Sequence, residues 1–276
     1  MQINGSVASV KNKYNRALIS NRAPHIDSNS ENISLLLKKE KVFLARWVSD
    51  FDCKKETDFW YIICDKNKGI EEYSVNTRSK IKRGLKNCDV REIGKQEIII
   101  NAYEVYNKAF LKYTTHFTCQ SKDHFIQEIE SLGCEWEFFG VYYKEKLVAY
   151  CLCSIKDDTC NYSTIKFHPQ YLKYYSSYAL FYTMNRYYLV DRKLKYVNDG
   201  SRNLVHKTNI QAFLITKFGF RKAYCRLHVK YNTILRFIVI FIYPLRFVFH
   251  RFNNKFAVKI TALLWQEKIR RSFYKK

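Results

Sequence analysis

The sequence predicts an α/β (α+β) fold, a mixed sheet flanked by helices, on three observations. Strand-like runs at 138–143, 147–155 and 160–168 follow one another across two short charged turns, which is the pattern of antiparallel hairpins. Helix and strand signals then alternate, with a helical segment at 176–190, a strand at 195–198, a helical segment at 209–218 and a strand at 220–231. Apolar residues make up 47% of the 276-residue chain, ample for the core that such a layered arrangement needs.

Taken in order, residues 1–32 are rich in Asn and Ser, lack a period and are expected to form a loose lead-in. Strand-like runs at 42–48 and 59–64 flank a charged turn at 52–58. They either begin a partial N-terminal half-domain or add strands to the main sheet, and the pattern leaves both open. The basic stretch at 73–92 contains TRSKIKRGLKNCDV. As a helix it puts Arg78, Lys82 and Lys86 on one face, with Ile81 and Leu85 as an apolar stripe beside them. Such a face is either merely solvated or a phosphate contact. Gly84 weakens the helix and Asn87 is a fitting end. At 95–115 Ile98, Ile99, Ala102, Val105, Tyr106, Ala109 and Phe110 keep a helical period. At 121–132 Phe125, Ile126 and Ile129 repeat it, with Ser121 as cap and Gly133 as stop.

The run at 147–155 is apolar on both faces and is expected to be central. Pro169 cannot donate to a ladder, so it ends the run before it. Asp199-Gly200 reads as a turn dipeptide, and Gly219 stops the helix that precedes it. In the last strand Ala223, Cys225, Leu227, Val229 and Tyr231 alternate with Lys222, Tyr224, Arg226, His228 and Lys230, so one face is wet. Beyond it, residues 234–249 are strongly apolar but interrupted by Arg236, Pro244 and Arg246. That run falls short of the roughly 20 residues a bilayer span needs, so a helix lying on a membrane or packed on the domain fits better. A helical segment at 258–273 ends in the basic RRSFYKK. The domain reading is a lead-in and partial half-domain at 1–72, a main domain at 73–231 and a basic apolar helical tail at 232–276.

The formal charge of +23 admits nucleic acid, an anionic membrane face or a polyanionic small molecule such as a nucleotide cofactor as partner. Its distribution points the tail toward a surface, since from Lys230 to Lys276 the only acid is Glu267. The nine cysteines are odd in number and scattered, without a C-x-x-C pair, and the first thirty residues are polar, without a secretory core. Reduced thiols, no metal or disulfide framework, and a cytoplasmic location with peripheral contact at the inner face of the membrane are expected.

The densest polar constellation is Asn198-Asp199-Gly200-Ser201-Arg202-Asn203, followed by His206 and Asn209. His206 is of the residue type that suits a base near neutral pH, Asp199 can orient it or bind an amine, and Arg202 can hold a phosphate or carboxylate. The same residues also make ordinary turn and helix-cap chemistry. Cys151 and Cys153 share one strand face and read as core packing. His168, beside Pro169, is structural or substrate-facing. The aromatic cluster Tyr171, Tyr174, Tyr175 and Tyr178 either stacks on bases or sugars or packs.

Three local patterns carry a family resemblance over residues 73–231. Phe167-His168-Pro169, a loop, and then Ala179-Leu180 match the donor-binding strand, loop and helix of GNAT N-acetyltransferases in register from the proline. Asn209 to Ala212, running on to Gly219-Phe220, is similar to their closing N-x-x-A to G-F motif. The basic run Arg78–Lys86 resembles the helix opening the second GNAT-like half of FemAB-type proteins. The chain therefore resembles the GNAT-like fold, in its FemAB-related branch, which transfers acyl or aminoacyl groups to amines, and FGFRKAYCRLHVKY also looks like bacterial GNAT-like proteins. The two glycines that approach the pyrophosphate in acetyl-CoA-dependent members fall here on Tyr175 and Ser177, and the usual tyrosine acid falls on Ile215.

The resemblance implies an N-acyltransferase taking acetyl-CoA or another acyl-CoA as donor and a small-molecule amine, such as an amino sugar or a cell-envelope precursor, as acceptor. It places the donor along Thr164, Ile165, Lys166 and Phe167, with its phosphates near Lys173, Tyr175, Ser176 and Ser177 and with Asn209 close by. Two alternatives stand beside it: a FemAB-like enzyme using aminoacyl-tRNA, and a non-enzymatic basic module that binds nucleic acid or membrane on a degenerate GNAT scaffold.

Overall fold

The computed structural model describes residues 9–12, 17–20, 23–26, 33–39, 41–112, 118–202, 209–249 and 255–274. Strands β1 (Ser9–Asn12) and β2 (Ala17–Ser20) precede α1 (Ile33–Lys39), and β3 (Leu44–Ser49) and β4 (Trp60–Cys64) bracket the charged turn. Helix α2 (Val75–Asn87) starts at Ser74, whose hydroxyl accepts from the Thr77 N–H. Then come β5 (Asp89–Ile93), α3 (Lys95–Phe110) and α4 (Lys122–Glu130), the last capped by Ser121. Strands β6 (Trp136–Tyr143), β7 (Lys146–Lys156) and β8 (Thr159–Phe167) form the hairpins. A 3-10 turn, Pro169–Tyr174, leads into α5 (Ser176–Arg186), which continues as a π-helical turn, Tyr187–Asp191. Next follow β9 (Tyr196–Ser201), α6 (Ile210–Phe218), β10 (Arg221–Tyr224) and β11 (Arg226–Tyr231). Helices α7 (Thr233–Ile242), α8 (Arg246–Phe249) and α9 (Lys255–Ser272) end the chain.

The chain divides into two compact units: Met1–Tyr61 with Ser201–Thr208 and Lys222–Lys276, and Ile62–Gly200 with Asn209–Arg221. The second unit holds most of a seven-stranded mixed sheet of order β10-β4-β9-β8-β7-β6-β5. One face buries Ile98, Ala102, Val105, Phe125 and Ile129 of α3 and α4 against Phe138, Tyr142, Leu147, Tyr150 and Leu152. Helix α5 covers the other face, where Ala179, Leu180, Phe181 and Met184 are fully buried and Phe181 meets Tyr162 and Phe218. The π-helical turn is tied down by Glu137, which accepts from Tyr188 Oη at 2.9 Å and from Arg192 Nη1 at 2.8 Å.

The first unit has a four-stranded sheet of order β1-β2-β3-β11. One face of β3 packs Ala45 on Ile33 and Leu37 of α1. The other packs Val48 with Leu227, Val229 and Ile269 of α9. Burial pushes the Glu267 carboxyl up, but hydrogen bonds from Arg270 and Arg271 outweigh it and hold the group below its ordinary range. Tyr231 Oη adds a fourth hydrogen bond to it at 3.1 Å.

Several expectations are corrected here. β3 joins the small sheet and β4 the large one, so the two early runs part company. The run at 220–231 is two strands broken at Cys225, one in each sheet, although the buried and open residues alternate across the break as expected. Asp199-Gly200 is no turn: β9 continues through both to Ser201, with Gly200 at φ +81° absorbing the irregularity. Helix α2 ends at Asn87 as read, and a strand not foreseen in the sequence, β5, follows it at once. α9 packs into its unit, with Leu264, Gln266, Glu267 and Ile269 buried. The helix read over 95–115 ends at Phe110, and residues 113–117 lie outside the described residues.

Candidate functional site

The site begins where two parallel strands stop pairing. β8 and β9 pair only from Thr159, Cys160 and Asn161 to Tyr196, Val197 and Asn198, although β8 runs on to Phe167 and β9 to Ser201. Asn198 fixes the point of separation, donating from Nδ2 to the Cys160 carbonyl at 3.3 Å and accepting from the Gly200 N–H at 3.0 Å. On its other edge β8 stays paired to β7 as far as Phe167, and Ser163 is an extra residue between the pairs Leu152–Thr164 and Cys153–Tyr162. A bulge of this kind bends a strand and re-aims the residues beside it. Thr164, Ile165, Lys166 and Phe167, all half-buried, lie on β8 beyond its pairing with β9.

The β8–α5 connection has the shape of an anion-binding turn. His168 and Pro169 end the strand, and Tyr175 then adopts the left-handed conformation, φ 61° and ψ 31°, as N-cap of α5. That is the conformation a glycine takes without penalty, held here by a tyrosine. The Tyr175 carbonyl accepts from the N–H groups of Tyr178 and Ala179 at 3.0 and 3.1 Å. The N–H groups of Ser176 and Ser177 precede these first helical bonds and stand at the positive end of the helix dipole. Ser176 is fully buried with its hydroxyl turned to the Tyr171 carbonyl, while Ser177 is half-buried.

Helix α2 supplies positive charge to this turn. Its buried side is Thr77, Ile81 and Gly84, and a Cβ on Gly84 would stand 2.6 Å from the Tyr175 carbonyl oxygen and 3.1 Å from Ala179 N. Only glycine permits this approach. It brings Arg83 Nη1 to 3.5 Å from Tyr175 Oη and Lys80 Nζ to 5.5 Å from the Tyr178 ring centroid. Arg78 and Lys82 face instead toward Glu71, at 2.5 and 3.4 Å, and Leu85 is exposed. The basic face that meets α5 is therefore Lys80 and Arg83, not Arg78, Lys82 and Lys86. Gly84 was the signal in the sequence, because a glycine inside a basic helix marks its side of close approach. Lys173 is exposed within the 3-10 turn before α5, with Nζ 5.2 Å from the Tyr174 ring centroid.

On the β9 arm, burial pushes the Asp199 carboxyl up to about 7. No described residue hydrogen-bonds to it. A carboxyl group titrating near neutrality at a strand separation has the acidity a general base needs. Asn209 is exposed at the N-cap of α6, in the same unit, and its side chain makes no capping bond. Arg202 falls in the other unit, where Nη1 donates to the Asp58 carbonyl at 2.7 Å and the guanidinium lies 4.5 Å from the Trp60 ring centroid. His206 lies outside the described residues. His168 is buried with Nε2 3.8 Å from Glu104 Oε1, and burial lowers its pKa. A cavity of about 240 Å³ elsewhere in the second unit, lined by Arg91, Glu92, Arg186, Tyr187 and Asp191 among others, contains none of the predicted site residues.

A mixed sheet with a bulged strand, a parallel pair that separates, and a helix starting at the separated strand's end make a GNAT-like fold. A solved structure of FemX is similar at 12% identity and TM-score 0.54, over 75% of this chain and 78% of that one. A GCN5-related N-acetyltransferase from Sphaerobacter thermophilus matches at 11% identity and TM-score 0.43, over 81% of this chain and 75% of that one. PaiA N-acetyltransferase from Thermoplasma acidophilum, solved with coenzyme A, matches at 13% identity and TM-score 0.32, over 39% of this chain and 74% of that one. No family model and no curated protein matches the chain.

Proposed function

We propose that the second unit is an N-acyltransferase module that holds an acyl-CoA along β8, most simply acetyl-CoA, and transfers its acyl group to a small amine. The observation that carries this reading is the parallel pair that stops at Asn161 and Asn198, with the α5 N-terminus on one arm and Asp199 on the other. Beyond that point the β8 backbone is a template on which an extended pantetheine chain can add as a strand. The donor's pyrophosphate then meets the α5 N-terminus at the Ser177 N–H, with Lys80, Arg83 and Lys173 as counter-charges.

The reaction needs alignment, a base and oxyanion donors, and no covalent nucleophile. Asp199, ionised above about pH 7, takes a proton from the acceptor ammonium. The free amine attacks the thioester carbonyl, a C–N bond forms as the C–S bond breaks, and the thiolate leaves and takes up the remaining amine proton.

A second reading, with aminoacyl-tRNA as donor, is favoured by Tyr175 and Ser177 standing where acetyl-CoA-dependent members carry glycine. Assay of free-thiol release from a panel of acyl-CoAs with amino-sugar and lysine-type acceptors tests the first reading. Acceptor-dependent release supports it, whereas turnover with aminoacyl-tRNA alone transfers the assignment to the second.

A further inference from the structure

Helix α7 is apolar nearly all round, with Thr233 and Arg236 its only polar residues, and most of it faces outward. Of its residues only Val239 is fully buried, at 1% exposure, while Ile234 and Phe241 are 73% and 75% exposed. Ile234, Phe237, Ile238, Phe241 and Leu245 follow the spacing i, i+3, i+4, i+7 and i+11, one stripe along the helix and the turn after it, and all five are exposed. A contiguous apolar stripe of this kind on a surface helix marks a binding face.

The charges around the stripe say what it binds. Arg246 stacks on Phe247 and Tyr243, at 4.1 and 4.7 Å from their ring centroids, and Arg271 lies 4.0 Å from the Tyr243 centroid. Arg236 and Lys230 are exposed on the same stretch of chain. From residue 230 onward the only acid is Glu267, which is buried and bonded to Arg270 and Arg271. The segment therefore shows positive charge with no exposed acid to offset it. A second copy of the chain would set two such basic rims against each other. An anionic bilayer surface accepts the apolar stripe and is attracted by the rim.

We infer that α7 is an interfacial helix that seats the first unit on an anionic lipid surface. The inference is independent of acyl transfer and needs no spanning segment, and among the described residues no helix is long and apolar enough to cross a membrane. The test is co-sedimentation of the full chain with phosphatidylcholine vesicles containing or lacking about one-third phosphatidylglycerol. Binding to the anionic vesicles alone, weakened by salt, is expected, and F237E/F241E should lower it at least tenfold. A second variant, Phe241→Trp, should shift its fluorescence to the blue on those vesicles, which keeps the test open should the charged variant fold poorly. Equal binding by wild type and the charged variant overturns the inference, as does failure of the wild type to bind together with an unshifted spectrum for Phe241→Trp. So does a concentration-dependent dimer that the charged variant abolishes in the absence of lipid.

Discussion

Gly84 lies so close to Tyr175 that a single added methyl group would stand 2.6 Å from the Tyr175 carbonyl oxygen. The contact positions a basic helix at the N-terminus of the helix that begins the donor site. Gly84→Ala is expected to cost about 1–3 kcal/mol, because the neighbouring atoms are backbone and yield little. Donor affinity should fall with it. Chemical denaturation and donor titration on the same preparation check both.

Tyr175 is the companion case. It holds a left-handed backbone that costs a non-glycine residue about 1 kcal/mol. Tyr175→Gly should keep the turn and leave stability unchanged or slightly raised, the relief of strain opposing the greater freedom of the unfolded chain. It removes the Arg83 contact and opens the approach to the Ser177 N–H. Tighter acyl-CoA binding by the glycine variant is the expected result in calorimetry.

Asp199 gives a pH signature. Its folded pKa is raised to about 7, so between about pH 4 and 7 the folded state keeps a proton that the unfolded state has lost. Stability therefore falls as pH rises through that window, by an upper limit on the order of 4 kcal/mol. Asp199→Asn should remove this loss and make the protein more stable than wild type at pH 8, with no difference near pH 4. Turnover should instead rise through about pH 7 in the wild type and drop by about 10²–10⁴ in the variant. A structural aspartate would show loss of stability with rate preserved.

Glu267 works in the opposite sense. Its pKa is held below the ordinary carboxylate range by Arg270 and Arg271, so its contribution is present above the unfolded value and is lost as pH falls through the folded one. Glu267→Gln is expected to cost about 2 kcal/mol at neutral pH, discounted because both arginines are about a third exposed. The difference from wild type should shrink toward acid pH in denaturant melts.

The hairpins and the α5–α6 half of the large sheet were legible because periodicity and punctuation agreed there, with Pro169 and Gly219 falling at element ends. Strand β5 was hidden because it is an edge strand carrying Asp89, Arg91 and Glu92, with little apolar alternation to announce it. The break at Cys225 was invisible because the in-out alternation keeps its phase across it. For α2 the apolar pair Ile81 and Leu85 suggested a buried side, but the contact with α5 needs the smallest residue, and the buried stripe turned to Gly84. The strand separation and the acidity of Asp199 depend on pairing and burial across the sheet, which no local pattern carries.

The central claim, that β8 and the α5 N-terminus hold an acyl-CoA, is tested most directly by isothermal titration of acetyl-CoA into the wild-type chain and into Ser177→Glu. Saturable binding by the wild type, abolished in the variant at an unchanged melting temperature, is the expected result. No binding by the wild type, or equal binding by the two, would contradict it.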